Sequence, residues 1–102
     1  MQIQLLTFRG CSCASETRAL LTRVLASEGV VESIEEIETA GDEIPTHLGS
    51  WGSPTILIDG ADIARERAQS GMSCRLYRLA DGRFVGVPPR ELILSALRRA
   101  IR

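Results

Sequence analysis

An apolar run, Ile3 to Phe8, passes through Gly10 into two cysteines one residue apart, Cys11 and Cys13, and on into a helix-forming stretch that opens at Ala14. That order sets the thiols at the carboxyl end of a strand and the amino end of a helix. Backbone N–H groups that the helix leaves unused, together with the helix dipole, stabilise anions at such a point. The thiolate is therefore favoured there, with Cys11 as the more acidic of the two thiols. Thiolate is the form that attacks disulfides and binds soft metals, so thiol chemistry is the chemistry to expect.

The rest of the chain alternates strand and helix signals. Gln2–Phe8 reads as a first strand, and Ala14–Glu28 as a helix with a stripe of Ala14, Leu21, Val24 and Leu25 stopped by Gly29. In Val30–Glu38, Val31, Ile34 and Ile37 fit a helical period, but glycines bracket a strand-sized piece, and a strand is expected. Asp42–Leu48 has room for one or two helical turns, and Gly49–Ser53 is a loop. Pro54 leads into Thr55-Ile56-Leu57-Ile58, an apolar strand closed by the turn dipeptide Asp59-Gly60. Ala61–Gln69 is compatible with a helix. Cys74–Leu79 and Arg83–Val87 read as strands joined at Asp81-Gly82, and Pro88-Pro89 opens a last helix with Ile93, Ala96, Leu97, Ala100 and Ile101 on one stripe. The expected fold is α/β, β-α-β-α-β-β-α, one domain over residues 1–102. Its central sheet is mixed, with an insertion before the last strand. The first two strands, joined through a helix, should be parallel and right-handed, and the last two antiparallel.

Composition narrows the function classes. A chain of 102 residues can bury one modest core. No apolar stretch approaches the ~18 residues that span a bilayer. Met1-Gln2-Ile3-Gln4 has no basic segment ahead of its apolar run and does not read as a signal peptide, so a cytoplasmic home is expected, in keeping with free thiols. The net charge of −1 divides unevenly, −6 over residues 1–60 and +5 over 61–102. The basic half does not read as a nucleic-acid surface, because its arginines are spread over strand, turn and helix with few aromatics between them. All twelve basic residues are arginine, which reads as genomic base composition and removes Schiff-base chemistry. His47, the one histidine, has no motif around it, and the acidic run Glu32–Glu43 reads as a solvated surface. The chain has no Gly-rich phosphate loop, paired Cys-x-x-Cys zinc motif or Ser/His/Asp set.

Two separated motifs resemble the thioredoxin-like superfamily, glutaredoxin in particular: strand-Gly-Cys11 leading into the first helix, and Ser53-Pro54-Thr55 followed by Ile56-Leu57-Ile58-Asp59-Gly60. The resemblance implies that the Ser53–Pro54 bond is cis and sits beside the reactive cysteine. A closer resemblance, carried by Gly49–Gly60, Ser73–Tyr77 and Gly86–Pro89, is to a group of small bacterial thioredoxin-like proteins, some of them labelled alkylmercury-lyase-like. The chain departs from the redox pattern at one place. A glutaredoxin-type second thiol would stand at position 14, which is Ala14; the second thiol here is Cys13. A Cys-x-Cys disulfide closes a smaller, more strained ring, which favours oxidant or isomerase behaviour, whereas two close thiolates can equally chelate a thiophilic ion.

The first expectation is a thiol–disulfide oxidoreductase with no cofactor. Cys11 attacks, Cys13 resolves the mixed disulfide, and Pro54 with the Ser53 backbone, bordered by Trp51, holds a disulfide- or thiol-bearing protein or small molecule. The alternatives are a soft-metal or organomercurial binder that uses Cys11, Cys13 and Cys74, and a redox-inactive thioredoxin-fold module that binds a partner. Trp51 and Tyr77 also have a plain reading as packing residues, and Cys74 as an inert apolar residue in a strand.

Overall fold

The computed structural model describes residues 1–8, 10–38, 53–64 and 76–101. In chain order the elements are β1 (Ile3–Thr7), α1 (Ala14–Ser27), β2 (Ile34–Glu38), β3 (Thr55–Ile58), β4 (Ala61–Asp62), β5 (Tyr77–Arg78), β6 (Phe84–Val85) and α2 (Arg90–Ile101). The chain is thus a small α/β protein whose four-stranded sheet runs β2-β1-β3-β4, with β5 and β6 forming a separate two-stranded ribbon. The sheet is mixed, as expected: β1 pairs with β2 in parallel and with β3 antiparallel. Among the described residues no helix is long and apolar enough to cross a membrane.

Strand alternation decides where the core sits. Ile3 and Leu5 of β1 and Ile56 and Ile58 of β3 share one face, and Leu21, Val24 and Leu25 of α1 pack there with Ile93, Ala96 and Leu97 of α2. Leu6 and Leu57, of opposite parity, form a second, smaller cluster. β2 feeds both. Ile34 lies beside Ile3 and packs on the main core, while Ile37 lies beside Leu6 and packs on the smaller cluster. The three-residue spacing that imitates a helix is therefore that of a strand serving both faces. The strand covers only the second half of the expected Val30–Glu38.

The helices end much as the sequence implies. At the end of α1 the Val30 N–H bonds the Leu25 carbonyl (2.9 Å) and the Gly29 N–H bonds Ala26 (3.2 Å), the paired bonds of a glycine stop. On α1 the fully buried stripe takes in Thr17, while Ala14 is half-buried. The Pro89 carbonyl accepts from Leu92 and Ile93 as α2 opens. Ile101, expected on the apolar stripe of α2, is 56% exposed in its last turn. Arg98 pairs with Glu28 (3.0 Å), tying the end of α2 to that of α1, and Arg18 pairs with Glu36, tying α1 to β2.

Two expectations are corrected. Ala61–Gln69 does not begin as a helix. Asp59 (φ 52°) and Gly60 (φ 82°) both lie in the left-handed region, so the chain doubles back at once, and Ala61–Asp62 pairs antiparallel with Leu57 and Ile58. Among the described residues β4 is thereby the last strand of the central sheet, and the stretch between β4 and β5 follows that sheet instead of preceding its last strand. The strands expected at Cys74–Leu79 and Arg83–Val87 are antiparallel, as anticipated, but shorter, and they form the separate ribbon between β4 and α2. The one or two helical turns expected at Asp42–Leu48 lie outside the described residues.

Candidate thiol site

The site is built where β1 ends and α1 begins. Cys11 follows the turn at Gly10, its N–H bonded to the Phe8 carbonyl (3.1 Å), and its own carbonyl accepts from Ala14 (3.3 Å). Cys13 is the N-cap of α1 (φ −93°, ψ −4°), and its side chain makes no capping hydrogen bond. Its backbone is held firmly nonetheless. The Cys13 carbonyl accepts from both the Thr17 N–H (3.0 Å) and the Thr17 hydroxyl (2.7 Å), and Thr17 is fully buried. Both thiols are free and half-buried.

The second motif lies against the first. The Ser53–Pro54 bond is cis, in agreement with the resemblance. Ser53 Oγ accepts from the Phe8 N–H at 3.0 Å. Phe8 therefore links the two motifs directly, through its N–H to Ser53 and its carbonyl to Cys11. The Ser53 and Pro54 side chains are themselves buried, and the Ser53 hydroxyl is taken up by β1. A direct contact of this pair with a substrate would therefore fall to its backbone.

Two further residues complete the arrangement. Tyr77, on β5, is buried and donates its hydroxyl to the Pro54 carbonyl at 2.6 Å. This residue packs, as its plain reading has it, and it also holds the proline loop. Gly86, just past β6, lies against Cys13: a Cβ built on Gly86 would stand 2.7 Å from the Cys13 sulfur. The β5–β6 ribbon thus touches both halves of the site, for Tyr77 pairs with Val85, the residue before Gly86.

Sequence reasoning found Cys11, Cys13, Ser53 and Pro54, which the structure brings together. Thr17, Gly86 and the hydroxyl of Tyr77 were not found. Thr17, four residues after Cys13, is the one faint signal, because a threonine near a helix start often bonds back to the carbonyl four residues earlier. Trp51, Cys74 and His47 lie outside the described residues, so the three-sulfur arrangement and the Trp51 border have no structural placement. Among the described residues no group of three or more His, Cys, Asp or Glu side chains is disposed to hold a metal ion. No family model, curated protein or solved structure matches this chain.

Proposed function

We propose that this chain is a thioredoxin-like, glutaredoxin-type thiol–disulfide oxidoreductase. The observation that carries the reading is the link through Phe8, which joins a two-thiol helix start to the Ser53–Pro54 loop. A bare chelating loop has no need of that second element; a disulfide exchanger does, because the incoming sulfur has to be held in line with the attacking one.

In this reading Cys11 is the nucleophile. Its thiolate attacks one sulfur of a substrate disulfide, forming a Cys11–substrate mixed disulfide and expelling the other substrate sulfur as thiolate, which takes up a proton. The Cys13 thiolate then attacks the Cys11 sulfur. A Cys11–Cys13 disulfide forms and the remaining substrate thiolate leaves. The substrate gains two electrons and two protons, and the protein is oxidised by two electrons. A small-molecule thiol, or a second protein dithiol, returns it to the reduced state; run backwards, the same steps oxidise a substrate dithiol. The partners are disulfide- or thiol-bearing proteins or small molecules, and a reducing, cytoplasmic setting suits a protein whose resting form is the dithiol.

Trapping tests this assignment. With Cys13→Ser, a small asymmetric disulfide should accumulate as a mixed disulfide at Cys11, visible by peptide mass spectrometry, and turnover should stall. With Cys11→Ser, reduction of the same disulfide should fall to the uncatalysed rate. Mixed disulfide that accumulates only at Cys13 in the wild-type protein would reverse the two roles. A protein that forms no adduct at either cysteine, yet binds Hg(II) with a thiolate-to-metal absorption band, would replace exchange with metal binding.

A further inference from the structure

We infer that Gly86 is a positioning residue for Cys13, and that the β5–β6 ribbon forms a wall of the thiol site; the consequence drawn for catalysis rests on the exchange reading above. A Cβ at Gly86 would lie 2.7 Å from the Cys13 sulfur but 3.8 Å from the Cys13 Cβ. Favourable contacts between such atoms lie at about 3.5–4 Å, so a side chain at position 86 would collide with the sulfur and with nothing else on Cys13. Glycine leaves the recess in which that sulfur sits.

The backbone is held on both sides, so what yields first is the sulfur, the free end of a one-torsion side chain. Cys13 is a short side chain on a backbone held by the two hydrogen bonds from Thr17. The ribbon is held by the Tyr77–Val85 pairing, with the Tyr77 hydroxyl on the Pro54 carbonyl. Beyond Gly86 the chain passes through buried Pro88 into α2. A methyl at 86 therefore turns the sulfur out of its recess or pulls the ribbon off it, and in both cases Cys13 loses cover. That cover has a use in a Cys-x-Cys centre. Two thiols so close in sequence compete for the same incoming disulfide. A ribbon held against the Cys13 sulfur fixes the direction of that sulfur, two residues from Cys11, for the resolving step.

The test needs no redox activity, so its failure is distinct from failure of the exchange reading. In a Cys11→Ser, Cys74→Ser background Cys13 is the sole thiol, and its alkylation by iodoacetamide can be followed alone. Adding Gly86→Ala should raise that rate by about threefold or more. Thermal melting gives a second, coupled readout: Gly86→Ala should lower Tm when Cys13 is present and leave it nearly unchanged in a Cys13→Ala background, where the colliding sulfur is gone. Should Gly86→Ala alone fail to fold, the inference expects Cys13→Ala to restore folding. An alkylation rate that Gly86→Ala leaves unchanged, an equal loss of Tm in both backgrounds, or unfolding that Cys13→Ala does not relieve would each overturn it.

Discussion

At the scale of single residues, the surroundings of the thiols are fixed by groups that are not thiols. The hydroxyls of Ser53, Thr17 and Tyr77 each bond to main chain, at Phe8, Cys13 and Pro54 respectively. These bonds hold the two loops without taking up either sulfur. Tyr77 is the most exposed to test, because its bond to Pro54 is buried. Tyr77→Phe keeps the ring and removes the donor, leaving a buried carbonyl short of a partner. The expected loss is about 1–3 kcal/mol of unfolding free energy, measured by urea denaturation. An unchanged midpoint would mean that the hydroxyl does not hold the loop. Cys11, Cys13, Ser53 and Pro54 were legible in the sequence because each sits in a motif whose chemistry is local. The partner of the Tyr77 hydroxyl, 23 residues away along the chain, was not. Nor was the role of Gly86: a glycine needed for the passage of another side chain looks, in one dimension, like any glycine after a strand.

At the scale of elements, strand and helix starts were read well where composition and turn chemistry agreed. β1, α1, β3 and α2 fall within a residue or two of their expected spans. The error after Asp59-Gly60 came from giving the helix-compatible composition of 61–69 more weight than the turn, although a two-residue turn of this kind commits the chain to an antiparallel return. The turn is further tied by the Asp59 N–H to the Gln2 carbonyl (2.8 Å) and by Asp59 Oδ1, which accepts from the Gln2 N–H (2.7 Å). Gly60→Ala would force a side chain into the left-handed region at φ 82°, where an L-residue costs about 1–2 kcal/mol. A loss of that size in chemical denaturation is expected, with thiol reactivity at Cys11 unaltered because the turn lies at the opposite end of β3 from Ser53–Pro54. A Gly60→Ala protein as stable as the wild type would remove the turn as the cause of the β4 return. The ambiguity in β2 was of another kind. Ile34 and Ile37 carry the same spacing in a helix stripe and in a strand that serves two faces, and only the sheet around them separates the two.

At the scale of the whole molecule, an α/β chain with a mixed sheet was legible, because a parallel pair joined through α1 and an apolar strand followed by a tight turn leave few other arrangements. The placement of the ribbon was not, since nothing local says whether a late hairpin extends a sheet or lies apart from it. That placement gives the candidate site its third side. Both helices pack on one face of the sheet, so the start of α1, the end of β1 and the beginning of β3 meet at one edge of the core, and the ribbon reaches that edge from outside the sheet. The central claim is that the folded chain is a two-electron thiol–disulfide carrier, a property of this assembly and not of two neighbouring cysteines alone. Equilibration in a graded series of glutathione redox buffers, quenched with acid and read by peptide mass spectrometry, tests it most directly, with the urea-unfolded chain as reference. The account predicts a reversible Cys11–Cys13 disulfide in the folded protein, present in oxidising buffer and absent in reducing buffer, with a midpoint displaced from that of the unfolded chain. A folded protein that remains a dithiol across the series, or one whose disulfide joins Cys74 to either thiol in place of the Cys11–Cys13 pair, would contradict it.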